Sequence, residues 1–341
     1  MARIAMVVTN ACAPDPRVER HAKWLVEEGH EVNIYAWDRE GIHLSKETRN
    51  NYTIHRKQIG SKKKLNSFTT WFRKKKFITN LKIEADLLIL NDTDTGDVKF
   101  DGKRLLDIHD MAQTWPLMRS KSIIHRMASR KMTKQAKSII NEVDEIIVSS
   151  PGFQSWVESI GHDATVVMNR RDPVPTERTT QKVIGYFGRI RELESMRYLF
   201  EAADLAGFRV ITAGDGLAVE KMLKIYPDID YRGVFTEEML PVLIKEISVM
   251  YAMYDPTRGN INQGAIPTKM LDASAYGRPS IVNKNTPMGD MCTSESLGVT
   301  ASYGNVEDIA FAMEKAHQIE IVNVKGNDRL PFMSVIQKLL D

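Results

Sequence analysis

Residues 183–214 read VIGYFGRIRELESMRYLFEAADLAGFRVITAG. Val183–Gly188 is a β-rich run that stops at glycine, a helical pattern follows to about Ala206, and Arg209–Gly214 is a second strand that also stops at glycine. The pattern continues downstream. Further strands are expected at 229–233, 249–254, 279–283 and 298–303, with helices from Thr236, Pro267 and Val306. Upstream, Arg170–Lys182 is polar, carries two prolines and reads as an interdomain linker. Before it the alternation is already present: strands at 3–9, 31–37, 52–57, 86–90, 104–108, 145–149 and 165–168, with a helix through Val18, Ala22, Leu25 and Val26 that ends at Gly29.

Strands alternating with helices imply mostly parallel sheets covered on both faces. The chain is therefore α/β, with two doubly wound Rossmann-like domains at 1–172 and 180–325 and a short amphipathic helix at about 330–341. Ligands of such sheets bind outside the carboxyl ends of the strands, so the cleft between two facing domains is the expected site.

The chain's 341 residues suit two domains. With 27% charged and 43% hydrophobic residues, 20 Gly and 13 Pro, its composition is that of a globular protein. Cys12 and Cys292 provide neither a disulfide framework nor metal-ligand spacing, which suits a reducing, cytoplasmic compartment. The N-terminal apolar run meets Thr9 and Asn10 too soon for a signal peptide, and no stretch has the ~18 apolar residues of a membrane span.

The net charge of +3 hides an uneven distribution. Residues 1–175 hold 29 basic and 22 acidic side chains; the remainder hold 18 and 22. Thr48–Ile83 carries eleven basic residues and no acid, including Lys62, Lys63, Lys64, Arg73, Lys74, Lys75 and Lys76. Met111–Asn141 carries seven and no acid. In the second stretch Ile124, Met127, Ala128, Met132, Ala136 and Ile139 are expected on one helix face, and Arg126, Arg130, Lys134 and Lys137 on another. In the first, Phe68, Trp71 and Phe72 share a face from which Phe77, Ile78 and Leu81 have rotated away. Basic surface interleaved with aromatics suits an anionic membrane face or a lipid-linked anionic acceptor, and a peripheral location on the cytoplasmic membrane face. Nucleic acid ranks lower, because no base-reading module is present.

Gly188 and Arg189 end one strand of the second half, and Gly214, Asp215 and Gly216 end the next. Glycine admits close backbone approach, and arginine grips phosphate through a planar fork. In NINQGAIPTKMLDASAYGRPSIV (260–282), Gly264, Ala265, Ile266 and Pro267 lead into a helix whose first turn should favour an anion, with Lys269 adding a full charge. Asp272 lies on a neighbouring face, where a carboxylate can accept two ribose hydroxyls. A surface pair of Lys269 with Asp272 is the plainer alternative.

In order and spacing these pieces resemble the GT-B glycosyltransferases, and among them the retaining family four. The resemblance covers nearly the whole chain. It runs through VVTNACAPDPRVERHAKWLVEEGHEVNIYAW (7–37), LLDIHDMAQTWP (105–116), EIIVSSPGF (145–153), VVMN (166–169), VIGYFGRI (183–190), ITAGDG (211–216) and PTKMLDASAYGRPSIV (267–282). It implies transfer of a sugar from a UDP- or GDP-linked donor to an acceptor, with retention and without a metal or other cofactor. Arg189 and Lys269 would neutralise the leaving diphosphate, Asp272 would hold the ribose, and the Gly214–Gly216 turn would lie beside the base. Gly188, Arg191, Ile266, Pro267 and Thr268 complete the implied donor set. His109 would approach the transferred sugar, and Arg17 and Asn10 would face the acceptor. Glu194 stands where the family often has a phosphate-binding lysine, so that contact is missing or supplied by Arg191. Gly264 and Asp272 stand in place of two glutamates. Between Asn91 and Lys103 there is no room for the usual crossover helix.

Three other readings are weaker. Asp92 and Asp94 could be the metal-binding acids of a GT-A transferase, but that fold has no second Rossmann-like domain. A nicotinamide enzyme would need a Gly-x-Gly-x-x-Gly turn where TNACAPDPR stands. A decayed transferase scaffold that binds membranes or nucleic acid would lack affinity for UDP and GDP.

Overall fold

The strand Arg3–Val8 (β1) buries five of its six residues, as a strand covered on both faces must. The loop after it ends at Asp15, whose carboxylate accepts the N–H of Val18, and Pro16 opens helix α1 (Pro16–Glu27). There follow β2 (Glu31–Trp37), β3 (Lys46–Arg49), β4 (Tyr52–Lys57), α2 (Ser67–Thr79), β5 (Leu87–Asn91), β6 (Lys103–Ile108), α3 (Trp115–Arg119), α4 (Ile123–Ile140), β7 (Glu145–Val148), α5 (Pro151–Glu158) and β8 (Thr165–Val166). This computed structural model describes every residue except 61–66, 121, 175 and 323. Lys62, Lys63 and Lys64 therefore lie outside the described residues.

The chain forms two compact units, Met1–Met168 with Asp328–Asp341, and Asn169–Asn327. In unit 1 the sheet order is β3-β4-β2-β1-β5-β6-β7-β8, parallel except for the edge strand β3. The C-terminal helix Arg329–Leu340 packs onto this unit, with the Phe332 ring stacked on His21 at 4.3 Å. Because β1 pairs with both β2 and β5, the winding reverses beside β1, and the loops at the carboxyl ends of β1 and β5 flank that switch point.

β3 escapes a reading by periodicity. Its sequence is KETR, with no apolar face, and it is held by its ladder to β4 and by Glu47 accepting from Arg49 and Arg56, each at 2.7 Å. In α2 the face that packs is the later one: Phe77 and Ile78 are buried while Trp71 and Phe72 stay exposed. In α4 the expected apolar stripe is only partly covered. Ala136 and Ile139 are buried, but Ile124, Met127 and Ala128 are exposed, because the helix turns Ser129, Met132, Ala136 and Ile139 inward. Between β5 and β6 stands a single 3-10 turn, Thr93–Thr95.

Unit 2 contains β9 (Val183–Phe187), α6 (Leu193–Ala206), β10 (Arg209–Ala213), α7 (Val219–Ile225), β11 (Asp230–Tyr231), α8 (Leu240–Lys245), β12 (Val249–Tyr251), α9 (Gly259–Asn262), α10 (Thr268–Ala275), β13 (Ser280–Asn283), α11 (Pro287–Ser294), β14 (Gly298–Ala301) and α12 (Val306–Gln318). Its sheet is wholly parallel, in the order β11-β10-β9-β12-β13-β14, so its switch point lies between β9 and β12. One face buries Ile184, Leu199, Tyr251 and Met313; the other buries Phe187, Leu243, Ile247 and Ala273.

The polar stretch after Asn169 is docked onto unit 2. Arg178 donates to the carbonyls of Ala316, His317 and Ile319 at the end of α12, and the amide of Val174 donates to Ala275 O at 2.7 Å. Beneath it lies Arg278, fully buried and paired with no carboxylate among the described residues. Its guanidinium donates to the carbonyls of Tyr276 and Glu177, both at 2.6 Å, and of Ile247 at 3.0 Å. A buried carbonyl that loses its donor costs roughly 1–3 kcal/mol. Arg278→Leu is therefore expected to destabilise unit 2 by about 3 kcal/mol or more. The loss should be read in the far-UV circular dichroism transition, since all five tryptophans lie in unit 1.

Candidate active site

At the unit 2 switch point the loops after β9 and β12 meet the start of α10. Lys269, in the first turn of α10, is 9% exposed, and its Nζ has no hydrogen-bond partner. The ammonium sits 3.3 Å from the ring centroid of Tyr186 and 5.2 Å from that of Tyr254. A Cβ on Gly188 would lie 3.7 Å from the same Nζ, so the charge rests against the glycine's open side. No carboxylate pairs with it among the described residues. Burial first, then the charges of Arg258 and Arg191, hold its pKa well below the usual lysine value. The faces of the two rings offset part of that desolvation.

Burial, Arg258 and Arg189 likewise lower the pKa of Arg191. Arg189 is exposed, and its carbonyl accepts from the Tyr186 hydroxyl at 2.9 Å. Glu192 is the acid next to this group, 3.5 Å from Arg258. Burial raises the Tyr254 hydroxyl to about 12, so it stays a neutral phenol. Among the described residues, no three His, Cys, Asp or Glu side chains are grouped to hold a metal ion. The local charge is cationic, and the chemistry that it suits is anion binding.

Asp272 does not pair with Lys269. Its Oδ1 accepts from Arg171 Nε, and Arg171 also reaches Glu237 at 2.8 Å. Pro267 caps α10 from outside, with Thr268 the first helical residue, one position later than a proline in the first turn would place it. Ile266 is half-buried and Thr268 exposed. Gly214 and Gly216, at φ +135° and +144°, serve chain-to-chain approach: a Cβ on either would stand 1.9 Å from the carbonyl of Gly188 or Ile190. The Asp215 side chain is exposed while its carbonyl accepts the Ile190 amide at 2.7 Å.

In unit 1, Asp107 at the end of β6 is fully buried. Arg17 reaches its Oδ1 at 2.6 Å, His21 Nδ1 lies 3.1 Å from Oδ2, and His109 Nε2 lies 3.0 Å from the same oxygen. Arg17 also donates to Val167 O at 2.6 Å. The expectation that Arg17 faces an acceptor is thus corrected: its guanidinium is buried and neutralises Asp107. Asn10 is exposed and shapes its own loop, donating to Asp15 and accepting from the Cys12 amide, both at 2.7 Å.

His109 keeps 17% of its side-chain surface exposed. Asp92 Oδ1 accepts its amide at 2.7 Å and Asp92 Oδ2 lies 3.8 Å from its Nδ1. Burial alone would lower the imidazole's pKa, but Asp107 and then Asp92 raise it to about 9. His109 is therefore an imidazolium at neutral pH. Burial pushes the Asp92 carboxyl up to about 7, against the pull of His109, and pushes His21 down to about 4. Asp94 is occupied by the Thr9 hydroxyl at 2.7 Å and by Lys74 at 3.4 Å. Of the remaining basic residues, Lys75, Lys76, Arg126, Arg130, Lys134 and Lys137 are exposed and Arg73 is half-buried.

Four residues of these arrangements are not among those expected from the sequence. Arg258 follows a strand, as Arg189 does, and was legible by the same rule. Tyr186 and Tyr254 cannot be told from core residues by pattern, and Arg171 lies in a stretch that reads as linker.

No protein-family model matches the chain, and no curated protein matches its sequence. Solved structures do. Sucrose-phosphate synthase from Thermosynechococcus elongatus is similar over 100% of this chain and 95% of its own, at a TM-score of 0.73 and 15% identity. Anabaena HepE, solved with UDP and glucose, matches over 100% and 96%, at 0.63 and 13%. S. aureus TarM, solved with UDP, matches over 99% and 97%, at 0.64 and 10%. The fold is GT-B.

In this GT-B chain, the half-buried His109 gives a pH signature. A folded-state pKa raised from 6.5 to about 9 stabilises the fold fully below 6.5, and that contribution is lost as pH rises through 9. The advantage of the wild type over His109→Gln in chemical denaturation followed by tryptophan fluorescence is expected to shrink by about 3 kcal/mol between pH 6.5 and 9.5. A constant difference across that range would show that His109 is not held as an imidazolium.

Proposed function

We propose that the chain is a glycosyltransferase that moves a sugar from a UDP- or GDP-linked donor to a lipid-linked or membrane-presented acceptor, with retention and without a metal ion. The observation that carries this reading is the buried, unpartnered ammonium of Lys269 beside Arg191 and Arg258. An ammonium without a carboxylate is costly to bury, and an anion supplied from outside removes the cost. A diphosphate fits because the arginines give planar forks and Lys269 a point charge at the open side of Gly188. The GT-B fold, and the UDP held by HepE and TarM, support the nucleotide.

In the proposed reaction the bond from the sugar's anomeric carbon to the β-phosphate oxygen breaks. A bond to the acceptor oxygen forms on the same face, and the acceptor's hydroxyl proton passes to the leaving phosphate. Lys269, Arg191 and Arg258, with Arg189 at the rim, stabilise the charge on the departing diphosphate, the work that a metal ion performs elsewhere. Asp272 is assigned to the ribose hydroxyls, with Arg171 fixing its carboxylate, and Gly188, Asp215, Ile266 and Thr268 line the donor. As an imidazolium, His109 can donate a hydrogen bond to a sugar hydroxyl or stabilise negative charge, but cannot act as a base. The acid-free basic stretches of unit 1 support an anionic or membrane-presented acceptor.

Titration calorimetry with UDP and GDP tests the reading. One of them is expected to bind at micromolar concentration, and Lys269→Met to weaken it at least tenfold, about 1.4 kcal/mol. At a pH between the depressed pKa of the free protein's Lys269 and the usual lysine value, binding should take up protons, because the anion restores the charge on the amine. The ligand-free Lys269→Met protein should melt at or above the wild-type temperature, since the substitution removes an uncompensated buried charge. A large loss of stability with unchanged nucleotide affinity would make Lys269 structural and overturn the reading.

A further inference from the structure

Helix α4 turns outward a face that the fold leaves uncovered. Ile123, Ile124 and Met127 are 74%, 77% and 63% exposed, although each occupies the first two turns of a helix whose other side is packed. That other side is seated on residues 112–114, where the Ser129 hydroxyl donates to Gln113 O at 2.7 Å, and further along by burial of Ala136 and Ile139. Wound at 100° per residue, Ile123, Met127, Arg130 and Lys134 fall within about 60° of one another on the outer side. Arg126 and Lys137 flank one margin and Lys131 the other, and all five cations of the helix are exposed. Immediately before it, in α3, Trp115 and Leu117 are 40% and 37% exposed.

Single exposed apolar residues are ordinary, as at Leu217 or Leu330. Here three large ones adjoin on one helix and stand among cations. The acids that touch α4, Asp97 on Gln135 and Glu142 on Ser138, both reach its C-terminal half. Its first half meets none among the described contacts.

We propose that the outer face of the first half of α4 is a bilayer-docking surface, which inserts Ile123, Ile124 and Met127 between the headgroups of an anionic monolayer while Arg126, Arg130 and Lys134 bind phospholipid phosphates. Charge complementarity selects this occupant. A second copy joined through the same face would oppose five cations to five, and a polyanion such as nucleic acid would leave the aliphatic side chains in water. An amphipathic helix lying in the interface uses both features at once, since its affinity combines buried apolar area with attraction to anionic lipid. The proposal deepens the membrane-presented acceptor proposed above, yet it concerns unit 1 alone and stands or falls apart from nucleotide binding by unit 2.

The test is sedimentation of the full chain with vesicles of phosphatidylcholine, with and without 30 mol% phosphatidylglycerol. The wild type is expected to partition at least tenfold more strongly onto the anionic vesicles and to lose most of that binding in 0.5 M salt. Ile123→Ser/Ile124→Ser/Met127→Ser and Arg126→Glu/Arg130→Glu should each lower the partition coefficient about tenfold or more. Both change only exposed side chains, and UDP affinity, measured on the same samples, should stay at the wild-type value. The proposal is overturned if the triple-serine variant sediments like the wild type, or if neutral and anionic vesicles bind alike. It is equally overturned if vesicles do not bind while a short DNA duplex binds the wild type and the triple variant equally, which would make the surface a polyanion site.

Discussion

An ammonium taken out of water without a counter-charge costs several kcal/mol, and unit 2 accepts that cost at Lys269. Much of the surrounding architecture follows from tolerating it. The parallel sheet aims the ends of β9 and β12 at the start of α10, and Gly188 leaves one side of the Nζ without a side chain. Two tyrosine rings line the rest with their negative faces, and the adjacent charges are arginines. A protein selected for stability alone would put a methionine there. For the proposed function, holding the cation in place before the anion arrives would remove the reorganisation that binding otherwise requires.

Unit 1 handles charge in the opposite way. Asp107 is as deeply buried as Lys269 but is fully compensated: Arg17 supplies a full charge, neutral His21 faces a second oxygen, and His109 takes up the remainder. Within this network His109 keeps one partly exposed edge and its proton, with Asp92 fixing both its amide and its ring. The same pairing explains why Arg17 is not free. It lies in the first turn of α1 and points at the end of β6, where a buried carboxylate demands it more than an external ligand could.

The alternation of apolar runs in 183–214 carried the fold, because fully buried parallel strands and the helices between them leave strong signals at different periods. The two sheets, their strands and the loops at the strand ends were legible for that reason. β3 was not, since KETR has no apolar face and is held by pairing and salt bridges alone. The apolar stripe of α4 was misplaced because periodicity finds apolar residues without knowing which of them the rest of the chain will cover. Gly214 and Gly216 were read as making room for a ligand, whereas each makes room for the neighbouring loop's carbonyl. Lys269 stood out by its place in a helix's first turn. Its isolation did not, because the partner that could have neutralised it, Asp272, is diverted by Arg171 from a distant stretch of sequence.

A crystal structure of the protein with bound UDP tests this account most directly. A β-phosphate oxygen is expected within ~3 Å of Lys269 Nζ, with Arg191 or Arg258 on the same diphosphate. A nucleotide bound away from the start of α10, or a Lys269 turned onto a protein carboxylate with UDP present, would contradict it.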